Sequence, residues 1–145
     1  MHTEIINKPF QVTIHGFSGI AANKDYAGTA FRLMDKMWKI VKSNGLKNKG
    51  LNIWVYESGN MVFAGVELEA KPEPSLGLEE KTVLLNRYAY YKHIGPYQLI
   101  KQAGTAMTDE IKQQGLTTGL PYIEIYGHWT NDDTKLETEL LMNLV

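Results

Sequence analysis

Lys135-Leu136-Glu137-Thr138-Glu139-Leu140-Leu141-Met142-Asn143-Leu144 decides how the chain is read. Alternate positions fall into two sets, the mark of a strand. Thr138, Leu140, Met142 and Leu144 make a mostly apolar face, and Glu137, Glu139, Leu141 and Asn143 make the other. The segment Pro121-Tyr122-Ile123-Glu124-Ile125-Tyr126 alternates in the same way, and turn-rich residues 127–134 lie between the two. Together they predict a hairpin whose symmetric register sets Glu124 opposite Glu139. Like charges directly opposite on a sheet are unfavourable. The pair is therefore expected where water screens it or where a positive group arrives.

Upstream of this hairpin, Leu99, Ile100, Ala103, Met107 and Ile111 form the stripe of a helix ended by Gly115. Gly104 inside that helix costs about 1 kcal/mol against alanine, which predicts close packing there. Residues 83–91 read as a strand, and His93-Ile94-Gly95-Pro96-Tyr97 turns the chain into the helix. The same order occurs earlier. Residues 10–16 alternate as a strand, and Asp25 is a suitable N-cap. Ala27, Ala30, Phe31, Met34, Trp38 and Val41 then recur on one helical face until Ser43-Asn44-Gly45 stops it. Strands over 51–57 and 61–69 flank the turn Ser58-Gly59-Asn60. Pro72, Pro74 and Gly77 keep the connector irregular. Residues 1–145 are thus one domain: repeat one over 8–69, a linker over 70–81 and repeat two over 82–145. The fold class is α+β, a duplicated β-α-β-β unit forming an antiparallel sheet with two helices on one side.

The 145 residues suffice for one well-filled core, and 43% of them are apolar. Fifteen Lys and Arg against sixteen Asp and Glu give a net charge of -1, without the basic surplus of a nucleic-acid binder. Cysteine is absent, which removes disulfides and thiolate chemistry and fits a cytoplasmic protein. No signal peptide or membrane span is evident in the letters. His2, His15, His93 and His128 lack metal-ligand spacing, and Asn131-Asp132-Asp133 lacks the rest of a calcium loop. No phosphate-binding glycine loop precedes either helix, so neither metal nor cofactor is expected.

Strand parity sorts the side chains. It sends Ile53, Val55, Val62, Ala64, Val66, Leu68, Ile123, Ile125, Leu140 and Met142 toward the helices. It leaves Trp54, Tyr56, Phe63, Glu67, Glu124, Tyr126 and Glu139 on the far face, around a space between the repeats. Large aromatics on one sheet face call for burial or a ligand. Rings with a carboxylate among them suit a lipophilic cation, since each ring contributes about 0.5–2 kcal/mol to a cation over its face. The alternative is that the rings form a second core or a dimer interface, with the glutamates at its wet rim.

Tyr88-Ala89-Tyr90-Tyr91-Lys92-His93-Ile94-Gly95-Pro96-Tyr97 resembles the strand-to-helix motif of gyrase-inhibitor-like small-molecule-binding domains. These domains also serve as effector-binding modules of AraC-type and MerR-type multidrug-responsive regulators. Residues 121–126 resemble that family's penultimate strand, and Thr138-Glu139-Leu140 its last, with Asn143 where the family commonly has proline. The resemblance spans about the whole chain. It implies eight antiparallel strands, two helices and a central pocket where last-hairpin carboxylates meet cationic ligands. By motif this carries to Glu139, Glu124 and Tyr126, whereas Trp54, Tyr56 and Phe63 are added from parity. The segment before and after the domain is too short for a helix-turn-helix, so a free-standing module without direct DNA binding is expected.

The ligand-binding residues predicted from sequence are Glu139 first and Glu124 second, with Tyr126, Trp54, Tyr56 and Phe63 as walls. The expected partner is a lipophilic or amphipathic organic cation, with no nucleic acid and no membrane. Two alternatives stay open. One is a small hydrolase using a pocket glutamate as general base, although no nucleophile with a base partner is evident. The other is a gyrase-inhibitor-like modulator that binds a protein partner.

Overall fold

The computed structural model describes residues 2–145. Its elements are β1 (Glu4–Ile6), β2 (Phe10–Ile20), α1 (Tyr26–Ser43), β3 (Asn48–Glu57), β4 (Met61–Leu68), β5 (Glu79–Leu85), β6 (Tyr88–Ile94), α2 (Ile100–Gln113), β7 (Thr118–Tyr126) and β8 (Glu137–Leu144). Eight strands form one antiparallel sheet in the order β1-β6-β8-β7-β3-β4-β2-β5. The order is symmetric about the β7–β3 seam, each strand of the first half mirrored by its counterpart in the second. Each half is therefore β-β-α-β-β, one strand longer than the unit read from sequence. The leading strand of each half pairs with the other half: β1 with β6 and β5 with β2.

Local signals place the elements. Asp25 caps α1, its Oδ1 accepting from the Gly28 N–H at 3.1 Å. Gly45 and Gly115 end the two helices at φ +59 and +73, the left-handed region glycine enters without steric cost. The turn after β3 uses Gly59 and Asn60, both at positive φ. Residues 83–91 are not one strand, because Asn86-Arg87 turns the chain between β5 and β6. β5 begins within the expected linker, and β2 runs on to Ile20 so that Phe17 enters the core. Among the described residues, no helix is long and apolar enough to cross a membrane.

The helices cover only the outer parts of their face. Ala30, Met37 and Val41 of α1 pack on Phe17, Val62, Ala64 and Val66 from β2 and β4. Ile100, Ala103, Met107 and Ile111 of α2 pack on Ala89, Leu140, Met142 and Leu144 from β6 and β8. The β3–β7 seam between them is left without a helical roof. On the opposite face the sheet closes on itself. Val12, Ile14, Ile53, Val55, Phe63, Val83, Leu85, Tyr88, Ile123, Ile125 and Leu141 form one buried cluster there, and Phe10 meets the Tyr88 ring at 6.0 Å.

This closure corrects the expected parity. The β-branched residues of β3 and β7 point into the closed layer, not toward the helices. Trp54, Tyr56, Glu124 and Tyr126 are on the helix side. Both faces of these strands carry buried side chains, so alternation separates two sets without saying which is on the helix side.

A cleft on the central seam

The unroofed seam is the floor of a cleft of about 1110 Å³ between α1 and α2. Its floor follows directly from register. Asn52, Trp54 and Tyr56 of β3 stand opposite Tyr126, Glu124 and Tyr122 of β7. All six share the helix-side face, because opposed residues point the same way. Phe31 and Met34 come from α1, Gly104 and Thr108 from α2, and Met142 from β8. At Gly104 an added Cβ would meet only the Met142 methyl, at 4.0 Å. The small residue thus lines open space, and the close packing expected there is absent.

Glu124 is the chemical centre of the cleft. It is only 7% exposed, and among the described residues no basic side chain lies within ion-pair distance of it. Three tyrosines hold it instead. Tyr56 and Tyr126 donate to Oε1 at 3.0 and 2.6 Å, and Tyr122 donates to Oε2 at 2.7 Å. Burying an unpaired carboxylate costs several kcal/mol. Hydrogen bonds to a charged acceptor return about 1.5–3 kcal/mol each, so the three hydroxyls make the charge tolerable without neutralising it. Burial, and then the Glu124 charge, push all three phenols far above their ordinary value of 10.0. They remain O–H donors.

Two chains of rings flank this carboxylate. Phe31, Trp54, Tyr126 and Tyr97 are in sequence, with centroids 5.3, 4.6 and 5.5 Å apart. Tyr26, Tyr56 and Tyr122 follow on the other side at 5.9 and 5.5 Å, the last pair stacked. At the mouth Trp129 is 74% exposed, and Phe31 and Leu120 are each half exposed. Exposed apolar residues gathered at one opening mark a binding surface.

Of the six predicted residues, the cleft brings together Glu124, Tyr126, Trp54 and Tyr56. Glu139 and Phe63 are elsewhere. Glu139 pairs with Ile125 and Lys92, points to the opposite face, and accepts from the Tyr90 hydroxyl at 2.6 Å. Glu124 stands opposite Leu140. The expected Glu124–Glu139 opposition is thus corrected by a one-residue shift, and such a shift turns a side chain to the other face. The connection through Asp133–Lys135 sets this register, since Tyr126 already pairs with Thr138 at the turn end, and the bulge between Gly119 and Tyr122 lies beyond both glutamates. Phe63 stands opposite Val55 inside the closed layer. Tyr122 is the residue that sequence reasoning passed over. Its signal was the parity shared by Tyr122, Glu124 and Tyr126. Phe31, Tyr97 and Trp129 come from helices and loops, which strand parity does not reach.

A buried carboxylate in a ring-lined cleft on an α+β sheet defines a small-ligand-binding domain. The sequence matches the GyrI-like small-molecule-binding domain over residues 19–145, and the chain belongs to that family. Similar solved structures include the EcmrR C-terminal domain, with a TM-score of 0.76 at 14% identity, covering 100% of this chain and 99% of that one. SAV2435 bound to tetraphenylphosphonium aligns with a TM-score of 0.64 at 16% identity, covering 100% and 94%. A hydrolase from Listeria innocua aligns with a TM-score of 0.60 at 12% identity, covering 99% and 91%. At these identities the likeness is one of fold. No curated protein matches the sequence.

Proposed function

We propose that this domain binds amphipathic organic cations in the seam cleft, with Glu124 as counter-charge and Trp54, Tyr56 and Tyr126 as walls. The observation that carries this reading is a nearly fully buried carboxylate that has hydroxyl partners but, among the described residues, no cationic one. Beside a carboxylate as buried as Glu124, a guest charge gains more than it would in water. Rings on both flanks add dispersion and cation–π contacts. The tetraphenylphosphonium bound to SAV2435 is a guest of this chemistry on a similar fold.

A general-base role is less well supported. Three of the four lone-pair sites of Glu124 are engaged by hydroxyls, which leaves it a single site to take a proton from a water.

The test is a tryptophan-fluorescence titration with tetraphenylphosphonium and with a neutral tetraphenyl analogue. The cation is expected to bind more tightly, and Glu124→Gln is expected to remove most of that difference. Equal binding of the two compounds by the wild-type protein would overturn the proposal.

A further inference from the structure

The hydrogen-bond occupancy of Glu124 restricts which cations the cleft can accept, an inference that rests on the binding reading above. We propose that the cleft selects singly charged onium ions without N–H donors, quaternary or charge-delocalised, over protonated amines of similar size.

A carboxylate has about four lone-pair sites. Here three are filled, two at Oε1 by Tyr56 and Tyr126 and one at Oε2 by Tyr122. A primary ammonium brings three N–H donors, each of which must find an acceptor or lose the one it had in water. Glu124 can satisfy one. The Asn52 Oδ1, on the same floor, already accepts from the Trp38 indole N–H at 2.6 Å and can take one more donor, so the two groups together fall short of three. The phenolic oxygens that remain are weak acceptors, since their lone pairs conjugate with the rings. Ring faces and the Met142 thioether make up most of the inner wall, with Thr108, whose hydroxyl proton goes to the Gly104 carbonyl, on the α2 side. An onium ion without N–H groups leaves the tyrosine bonds intact and loses no hydrogen bonds on entry. Its charge then meets the carboxylate at close range through apolar contacts.

The number of charges follows from the same seam. The β3–β7 pairing sets Trp54 opposite Glu124, so the seam carries one carboxylate facing an indole and not two carboxylates. The other acidic cleft residues, Asp25 and Glu57, are more exposed and already have partners. Asp25 caps α1, and Glu57 is paired with Lys81. One unmatched negative charge at depth calls for one positive charge.

Calorimetric titration with three matched probes tests this: biphenylmethyl-trimethylammonium, biphenylmethylammonium, and the neutral analogue carrying a tert-butyl group. Wild-type protein is expected to bind the trimethylammonium compound about tenfold or more tightly than either of the others. Tyr122→Phe vacates a site on Oε2, and is expected to raise affinity for the primary ammonium and narrow that gap. If wild type binds the primary ammonium as tightly as the trimethylammonium, this selectivity is wrong while the Glu124 reading stands. If both cations bind no better than the neutral analogue, the Glu124 reading itself fails. A gap unchanged in a folded Tyr122→Phe variant overturns the lone-pair argument. Should that variant not fold, the wild-type comparison alone still decides.

Discussion

Trp54 and Glu124 face each other as direct cross-strand partners on the seam where the two halves of the sheet meet. They occupy equivalent places in the two halves, separated by the same offset in sequence as the helix-ending glycines Gly45 and Gly115. The duplicated fold thus puts an indole and a carboxylate at matching positions beneath the gap between α1 and α2. The remaining features of the site are arranged around this pair.

Trp54 is 4% exposed and contacts both Phe31 and Tyr126. Trp54→Ala should destabilise the domain by about 3–5 kcal/mol, the range for deleting a buried large aromatic. Trp54→Phe should cost less and keep some cation affinity. Chemical denaturation beside ligand titration separates the two effects.

Alkaline stability should report the tyrosine cage. Tyr56, Tyr122 and Tyr126 have folded pKa values above their ordinary 10.0 because of burial and the adjacent Glu124 charge. The unfolded chain therefore releases protons near pH 10.0 that the folded one retains. Stability from this source is complete below that pH and falls as pH rises above it. Each tyrosine should contribute a slope of about 1.4 kcal/mol per pH unit. Urea unfolding across this range checks the slope, and Tyr122→Phe should remove one share of it.

At Gly16 a side chain has no room. A Cβ there would lie 1.9 Å from the Ala64 carbonyl oxygen and 2.7 Å from the Gly65 Cα, both backbone atoms of β4. Gly16→Ala should force β2 away from β4 and cost more than about 3 kcal/mol, within the severe tail of single substitutions. Circular dichroism melting measures it. Gly45→Ala should be milder, since only its φ of +59 is unfavourable and nothing lies within 4 Å of the added methyl.

The closed layer should respond differently from the cleft. Phe63→Leu leaves a gap in the buried cluster of the far face and should lower the melting temperature. Affinity for a cation should stay within about twofold, because the side chain lies across the sheet from Glu124. A parallel loss of affinity would mean that the two faces are coupled.

The sequence carried the fold well, for identifiable reasons. Helical stripes, Asp25, Gly45 and Gly115 are local signals that survive packing, and the turn at Gly59 and Asn60 is equally local. β1 was hidden by its length of only three residues. β5 was hidden because Asn86-Arg87 breaks an apolar run without glycine or proline. The site was legible in its residue types and less so in its orientation. Glu124, Tyr126, Trp54 and Tyr56 share a strand parity that the letters show. Which face meets the helices is a tertiary fact, set by the sheet closing over Ile53, Val55, Ile123 and Ile125. The position of Glu139 depended on a register set at the turn end, where Tyr126 pairs with Thr138, beyond what alternation can resolve.

The central claim is that Glu124 is the counter-charge of the cleft, and the most direct measurement compares Glu124→Gln with Glu139→Gln. Both variants and wild type would be titrated with tetraphenylphosphonium by calorimetry, each first shown to be folded. Glu124→Gln should weaken binding by about tenfold or more, equivalent to about 1.4 kcal/mol, while Glu139→Gln stays close to wild type. A loss of binding in Glu139→Gln with Glu124→Gln unaffected would contradict the account.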